Sequence, residues 1–141
     1  MIVCIDTNVV VQARAAKHRY FPILDACVAG RLGWAVSTGI LLEYEEIISA
    51  MSGDTGWRKF ARLMDLIDLT TRTLIRVNPQ FQFQVIGNDP DDNTFSDCAI
   101  SNGADYIITD DKHFAPLAES GYKPQPITPG EFIKRFPHIC K

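Results

Sequence analysis

Residues 2–5, Ile-Val-Cys-Ile, make a continuous apolar run that stops at Asp6. A run this short, with no polar alternation, fits a strand covered on both faces, as in a parallel sheet. Further short runs follow at 33–37 (GWAVS), 73–77 (TLIRV), 105–110 (DYIITD) and near 125–128. Between them lie stretches with helical patterning at 9–16, 20–30, 39–51, 57–68, 90–102 and 130–136, with a break at 53–56 (GDTG). Strands that alternate with helices predict an α/β fold with a central, mainly parallel sheet of about five strands. A length of 141 residues suits one domain over 1–141 and is too short for two ordinary ones.

Composition narrows the function. Hydrophobic residues make up 46% and charged residues 22%, enough for a real core. The net charge of −3 gives no general attraction to nucleic acid, so a polyanion must be held by a local basic patch or by metal ions. Cys4, Cys27, Cys98 and Cys140 form no CxxC pair and no zinc-finger spacing, and they read as reduced core thiols of a cytoplasmic protein. The chain opens on a strand pattern rather than a signal peptide, and no apolar run reaches the ~20 residues of a membrane span.

Ligands of open parallel sheets sit beyond the carboxyl ends of the strands. Asp6 ends the first strand, and Asp110 and Asp111 end the strand at 105–110, so these acids belong to one edge. The helices that follow the second strand and residue 89 start on the same edge. In the first of them the apolar stripe is Ile40, Leu41, Tyr44, Ile47, Ile48 and Met51. Glu46 falls opposite that stripe, while Glu43 and Glu45 flank it at about 100° on either side, and phase alone leaves both open. In 90–102, Asp89 before Pro90 reads as the N-cap. Asp91 and Asp92 lie in the first turn, each about 50° from the apolar centre, and Asp97 points to solvent. Only Lys112 neighbours these acids in sequence. Clustered carboxylates without cations suit a hard divalent ion such as Mg²⁺ or Mn²⁺. His18, His113 and His138 read as isolated surface or loop residues, which argues against zinc.

The segments IVCIDTNVVV, STGILLEYEEII, DPDDNTFSDCAISNGADYIITDDKHF and ITPGEFI, in this order, resemble a PIN domain. The chain is similar in particular to stand-alone prokaryotic PIN proteins regarded as toxins of toxin–antitoxin pairs. The resemblance implies a three-layer, Rossmann-like fold and places the family's four acids on Asp6, Glu43, Asp92 and Asp111. Asp92 is preferred to Asp91 by the family spacing to Ala99; Asp110 remains an alternative to Asp111. Thr7, Asn8, Thr109 and Asp110 would support the four. The implied activity is a ribonuclease dependent on Mg²⁺ or Mn²⁺ that leaves a 5′-phosphate and a 3′-hydroxyl. The implied partners are RNA, an antitoxin protein and a second copy of the chain in a homodimer, with no membrane.

Two basic clusters, Arg14-Lys17-His18-Arg19 and Arg58-Lys59-Arg62, are candidates for RNA, with Arg14 and Lys17 favoured because they closely follow the DTN segment. The apolar residues of 57–67 either pack the core or meet a partner. Two other functions fit the same physics. A Mg²⁺-dependent Rossmann-like phosphatase would need a second aspartate two residues after the first, where Asn8 stands. A non-catalytic RNA- or partner-binding PIN module would usually lack one of the four acids.

Overall fold

The computed structural model describes residues 1–87 and 89–141. Five strands, β1 (Ile2–Ile5), β2 (Gly33–Val36), β3 (Leu74–Arg76), β4 (Tyr106–Ile108) and β5 (Gln125–Ile127), form one sheet in the order β3-β2-β1-β4-β5. All four pairings are parallel, as the unalternated runs require. Val3, Cys4, Ile5, Trp34, Ala35, Val36, Ile107 and Ile108 are fully buried, so the central strands are covered on both faces.

The helices are α1 (Thr7–Ala13), α2 (Phe21–Val28), α3 (Thr38–Thr70), α4 (Pro90–Asn102), α5 (Ala115–Ala118) and α6 (Pro129–Arg135). The break expected over 53–56 is narrower in the fold. Gly53 alone leaves helical geometry, at φ 67° and ψ −175°, and kinks α3 between two helical limbs. A side chain at that φ would be strained, which is why glycine marks the kink. The second limb turns Phe60, Met64 and Ile67 into the core, where Phe60 meets Trp34 and Tyr44. Ser37 caps α3 by accepting from the Ile40 N–H, and Thr128 caps α6 through the Glu131 N–H. α4 ends on Gly103 in the left-handed conformation, φ 68°.

One expectation changes. Asp97 does not point freely to solvent: its Oδ1 accepts the Phe83 N–H at 2.9 Å and pins the polar connection between β3 and α4. A 3-10 turn over Lys112–Phe114 and the four-residue α5 fill the stretch after β4 that shows no sequence periodicity. The chain leaves β1 toward β2 on one side and β4 on the other, so the strand order switches between β1 and β4. A crevice forms at the carboxyl ends of strands flanking such a switch.

Candidate active site

Asp6 follows β1 at that switch and caps α1, its Oδ1 accepting from the Thr7 N–H at 2.8 Å. Its Oδ2 accepts from the Thr109 hydroxyl at 2.7 Å, across the β1–β4 seam. The Thr109 oxygen in turn accepts the Asp111 N–H at 2.9 Å, so one buried threonine joins the ends of both strands. The Thr7 hydroxyl donates to Glu43 Oε2, which draws the first turns of α3 to the same place. Tyr44, one residue on, donates its hydroxyl to the Ile5 carbonyl and fixes α3 to the last residue of β1.

Asp89 caps α4 by accepting the N–H groups of Asp91 and Asp92 on one oxygen, Oδ1, each at 3.1 Å. Asp92 is buried to 9% exposure, and its Oδ2 has no hydrogen-bond partner. Asp91 is exposed, as are Glu45 and Glu46. Of each pair that helical phase left open, Glu43 and Asp92 are the more buried members.

The acids perturb one another. Burial pushes the Asp6 carboxyl up, against the Thr109 and Thr7 hydrogen bonds that lower it, with repulsion from Asp111 and Asp110 adding to the rise. Burial also raises Glu43, helped by Asp91 and Asp6. Asp92 is pushed up to about 7, first by burial, then by the adjoining Asp89 carboxylate, and by repulsion from Asp111 and Asp6. Among the described residues no lysine or arginine pairs with Asp6, Glu43, Asp92 or Asp111. An unpaired carboxylate oxygen at this depth is costly, and a divalent cation is the group that would offset it. The donor set, all oxygen around Asp6, Glu43 and Asp92, fits a hard ion.

These acids share the edge without closing into a coordination sphere. Asp6 has both oxygens held by Thr7 and Thr109, and Glu43 is held by Thr7. Among the described residues, the side chains whose ligand atoms all lie within 4.8 Å of one another are Asp89, Asp92 and His113. His113 Nδ1 is 3.7 Å from Asp92 Oδ2 and 3.4 Å from Asp111 Oδ1. Sequence reasoning treated His113 as isolated. The signal it lacked is local: Asp111 Oδ1 accepts the His113 N–H at 2.9 Å, and this cap folds the 3-10 turn back over α4.

A sequence model described as PIN domain matches residues 2–113, more than three quarters of the chain. The chain belongs to the PIN domain family. No curated protein matches it. PIN domains are generally metal-dependent nucleases that bind divalent ions, and this one carries a group of acidic residues at the strand ends.

The remaining candidates lie further out. Asn8 and Asp110 are exposed, and Lys17 is exposed on the turn after α1. Arg14 sits at the opposite end of α1 from Asp6, roughly 12 Å along the helix axis. Its guanidinium donates to Ser52 Oγ at 3.4 Å and to the Val11 carbonyl at 3.3 Å, beside the α3 kink. There it borders a cavity of about 470 Å³ between α2 and the second limb of α3, walled by Phe21, Leu24, Val28, Phe60 and Leu63. No helix among the described residues is long and apolar enough to cross a membrane.

Proposed function

We propose that this PIN domain is an endoribonuclease that hydrolyses RNA phosphodiesters at the edge carrying Asp6, Glu43, Asp92 and Asp111. The observation that carries the reading is the buried, unpartnered Asp92 Oδ2, set among acids that no lysine or arginine neutralises among the described residues. Mg²⁺ or Mn²⁺ held by the four carboxylates would supply Lewis acidity and an activated water for in-line attack. The chain's own contribution is positional. Thr109 fixes the Asp6 carboxylate and the Asp111 backbone together, and Thr7 sets Glu43 relative to Asp6. Asp110 and Asn8 stand exposed at the rim, where they can order solvent around the phosphate. Products carrying a 5′-phosphate and a 3′-hydroxyl are expected, as in related nucleases.

The finer assignment is a cytoplasmic toxin of a toxin–antitoxin pair, working as a homodimer. It rests on the family resemblance and on the apolar cavity between α2 and α3, whose walls suit an antitoxin segment and whose rim carries Arg14, Lys59 and Asp25. Arg14 and Lys17 remain the proposed RNA contacts. The domain is taken to span 1–141, since β5 extends the same sheet and Phe132 and Phe136 pack on Tyr106.

The test incubates the full chain with single-stranded RNA in Mn²⁺ or Mg²⁺, beside Asp6→Asn and an EDTA control. Metal-dependent cleavage lost in the variant supports the reading. Equal cleavage in EDTA sinks it. Binding without turnover would mark a non-catalytic module, and phosphate release from a small ester would mark a phosphatase. Induced expression that arrests growth with the wild-type chain and not with Asp6→Asn would support the toxin role.

A further inference from the structure

Asp89 and His113 take no part in the four-carboxylate site, yet with Asp92 they hold the tightest set of ligand-type atoms among the described residues, all within 4.8 Å. We propose that Asp89, Asp92 and His113 form a second divalent-cation position that shares Asp92 with the first, and that its imidazole favours a transition ion such as Mn²⁺ over Mg²⁺. This deepens the ribonuclease reading by naming the metal class, and it rests on that reading only for the cation-binding role of Asp92.

The geometry suits an ion rather than a direct contact. His113 Nδ1 and Asp92 Oδ2 stand 3.7 Å apart, too far for a hydrogen bond. Two ligands about 2.1 Å from one ion lie up to about 4.2 Å apart, so the His113–Asp92 pair already spans an ion, and Asp89, within 4.8 Å, closes on it by a small side-chain rotation. Asp92 Oδ2 is buried and has no hydrogen-bond partner, and it faces this position. Asp89 spends only Oδ1 on the helix cap, and neither of those two bonds uses Oδ2. The open side is a cavity of about 760 Å³ bordered by Asp89, Lys112 and His113, with room for waters and for a phosphate oxygen near the Lys112 ammonium. Mg²⁺ is held mainly by oxygen in a strict octahedron; imidazole suits Zn²⁺, Cu²⁺, Fe²⁺ and Ni²⁺ best, and Mn²⁺, itself at home among carboxylates, accepts a nitrogen ligand more readily than Mg²⁺ does. Mn²⁺ binds such sites least tightly of that series, so it is a demanding probe.

The experiment uses the full, untagged chain and Mn²⁺ alone. Electron paramagnetic resonance counts bound ions, and its pulsed form detects nitrogen coupled to them. The expected result is two Mn²⁺ per chain, with ¹⁴N coupling in the wild type and in Asp6→Asn. His113→Gln should lose the coupling and bind one of the two ions at least tenfold more weakly. A tenfold excess of Mg²⁺ should leave the coupling in place. The His113 side chain is 73% exposed and its turn is held through the backbone, so the variant should fold, and circular dichroism checks this. Absence of ¹⁴N coupling in the wild type, its persistence in His113→Gln, or unchanged Mn²⁺ affinity in that variant would each overturn the proposal. RNA cleavage without nitrogen coupling would keep the nuclease and discard this site; coupling in a chain that cleaves no RNA would do the reverse.

Discussion

Asp92→Asn should make the metal-free protein more stable at pH 8, although it removes a ligand. The carboxyl titrates at about 7 in the fold against 3.8 for a free aspartate. The folded state therefore holds this proton over a range where the unfolded chain has released it. Stability from that proton is complete below about pH 4 and is lost as pH rises through 7. A displacement of about three pH units corresponds to about 4 kcal/mol. Sharing of the charge with Asp89, and water at the mouth of the crevice, reduce this to roughly 2 kcal/mol. Asparagine carries no charge and offers an N–H toward Asp89, so the variant avoids the loss. Melting curves in EDTA should show no difference near pH 4, a gap that opens between pH 4 and 7, and a variant Tm higher by about 6–8 °C at pH 8. In Mn²⁺ at a hundred times its dissociation constant the order should reverse, since the wild type gains about 2.7 kcal/mol from binding. A gap that does not change with pH, or a variant less stable at pH 8 in EDTA, would refute the account of Asp92 as an unneutralised buried acid.

Other substitutions probe the parts separately. Glu43→Gln should lower metal-dependent RNA cleavage at least about 100-fold, while Glu45→Gln, on an exposed position, stays within about twofold in the same assay. Thr109→Val removes a hydrogen bond that lowers the Asp6 carboxyl, so Asp6 should hold its proton to higher pH and the acid limb of the pH–rate profile should move upward. Tyr44→Phe leaves the buried Ile5 carbonyl without that donor and should cost about 1–3 kcal/mol in urea unfolding, with no change in the metal's nitrogen signal. Gly103→Ala meets no neighbour within 4 Å, so its cost of about 1 kcal/mol comes from the positive φ alone and should show as a Tm lower by about 3–4 °C.

The fold was legible because its signals are local. Each strand is a short apolar run, and each major helix carries its own stripe, so every strand and the helices long enough to show periodicity could be placed within a few residues. The boundaries moved where capping decided them: α1 starts at Thr7, two residues early, because Asp6 caps it. The turn and short helix after β4 escaped because four residues with a proline have no period to read. Gly53 concentrates a break that GDTG spread over four positions, since a single residue at positive φ suffices to redirect a helix.

The candidate site was half legible, for a different reason. Helical phase gives direction around one axis, and it left Glu43 against Glu45 and Asp91 against Asp92 undecided. What separates each pair is a contact with another element. Thr7 on α1 reaches Glu43, and the turn after β4 closes over Asp92 and leaves Asp91 in solvent. His113 was missed on the same ground, because its nearness to Asp92 spans 21 positions and depends on one cap at Asp111. A short Asp-x-His turn directly after a strand that already carries a site acid is thus a readable signal. The cap holds the turn so that the imidazole comes within 3.7 Å of Asp92 at the crevice the strand end helps to form. Asp97 makes the same point in the other direction, since a residue on the solvent side of its own helix becomes a structural acceptor once another segment lies over it.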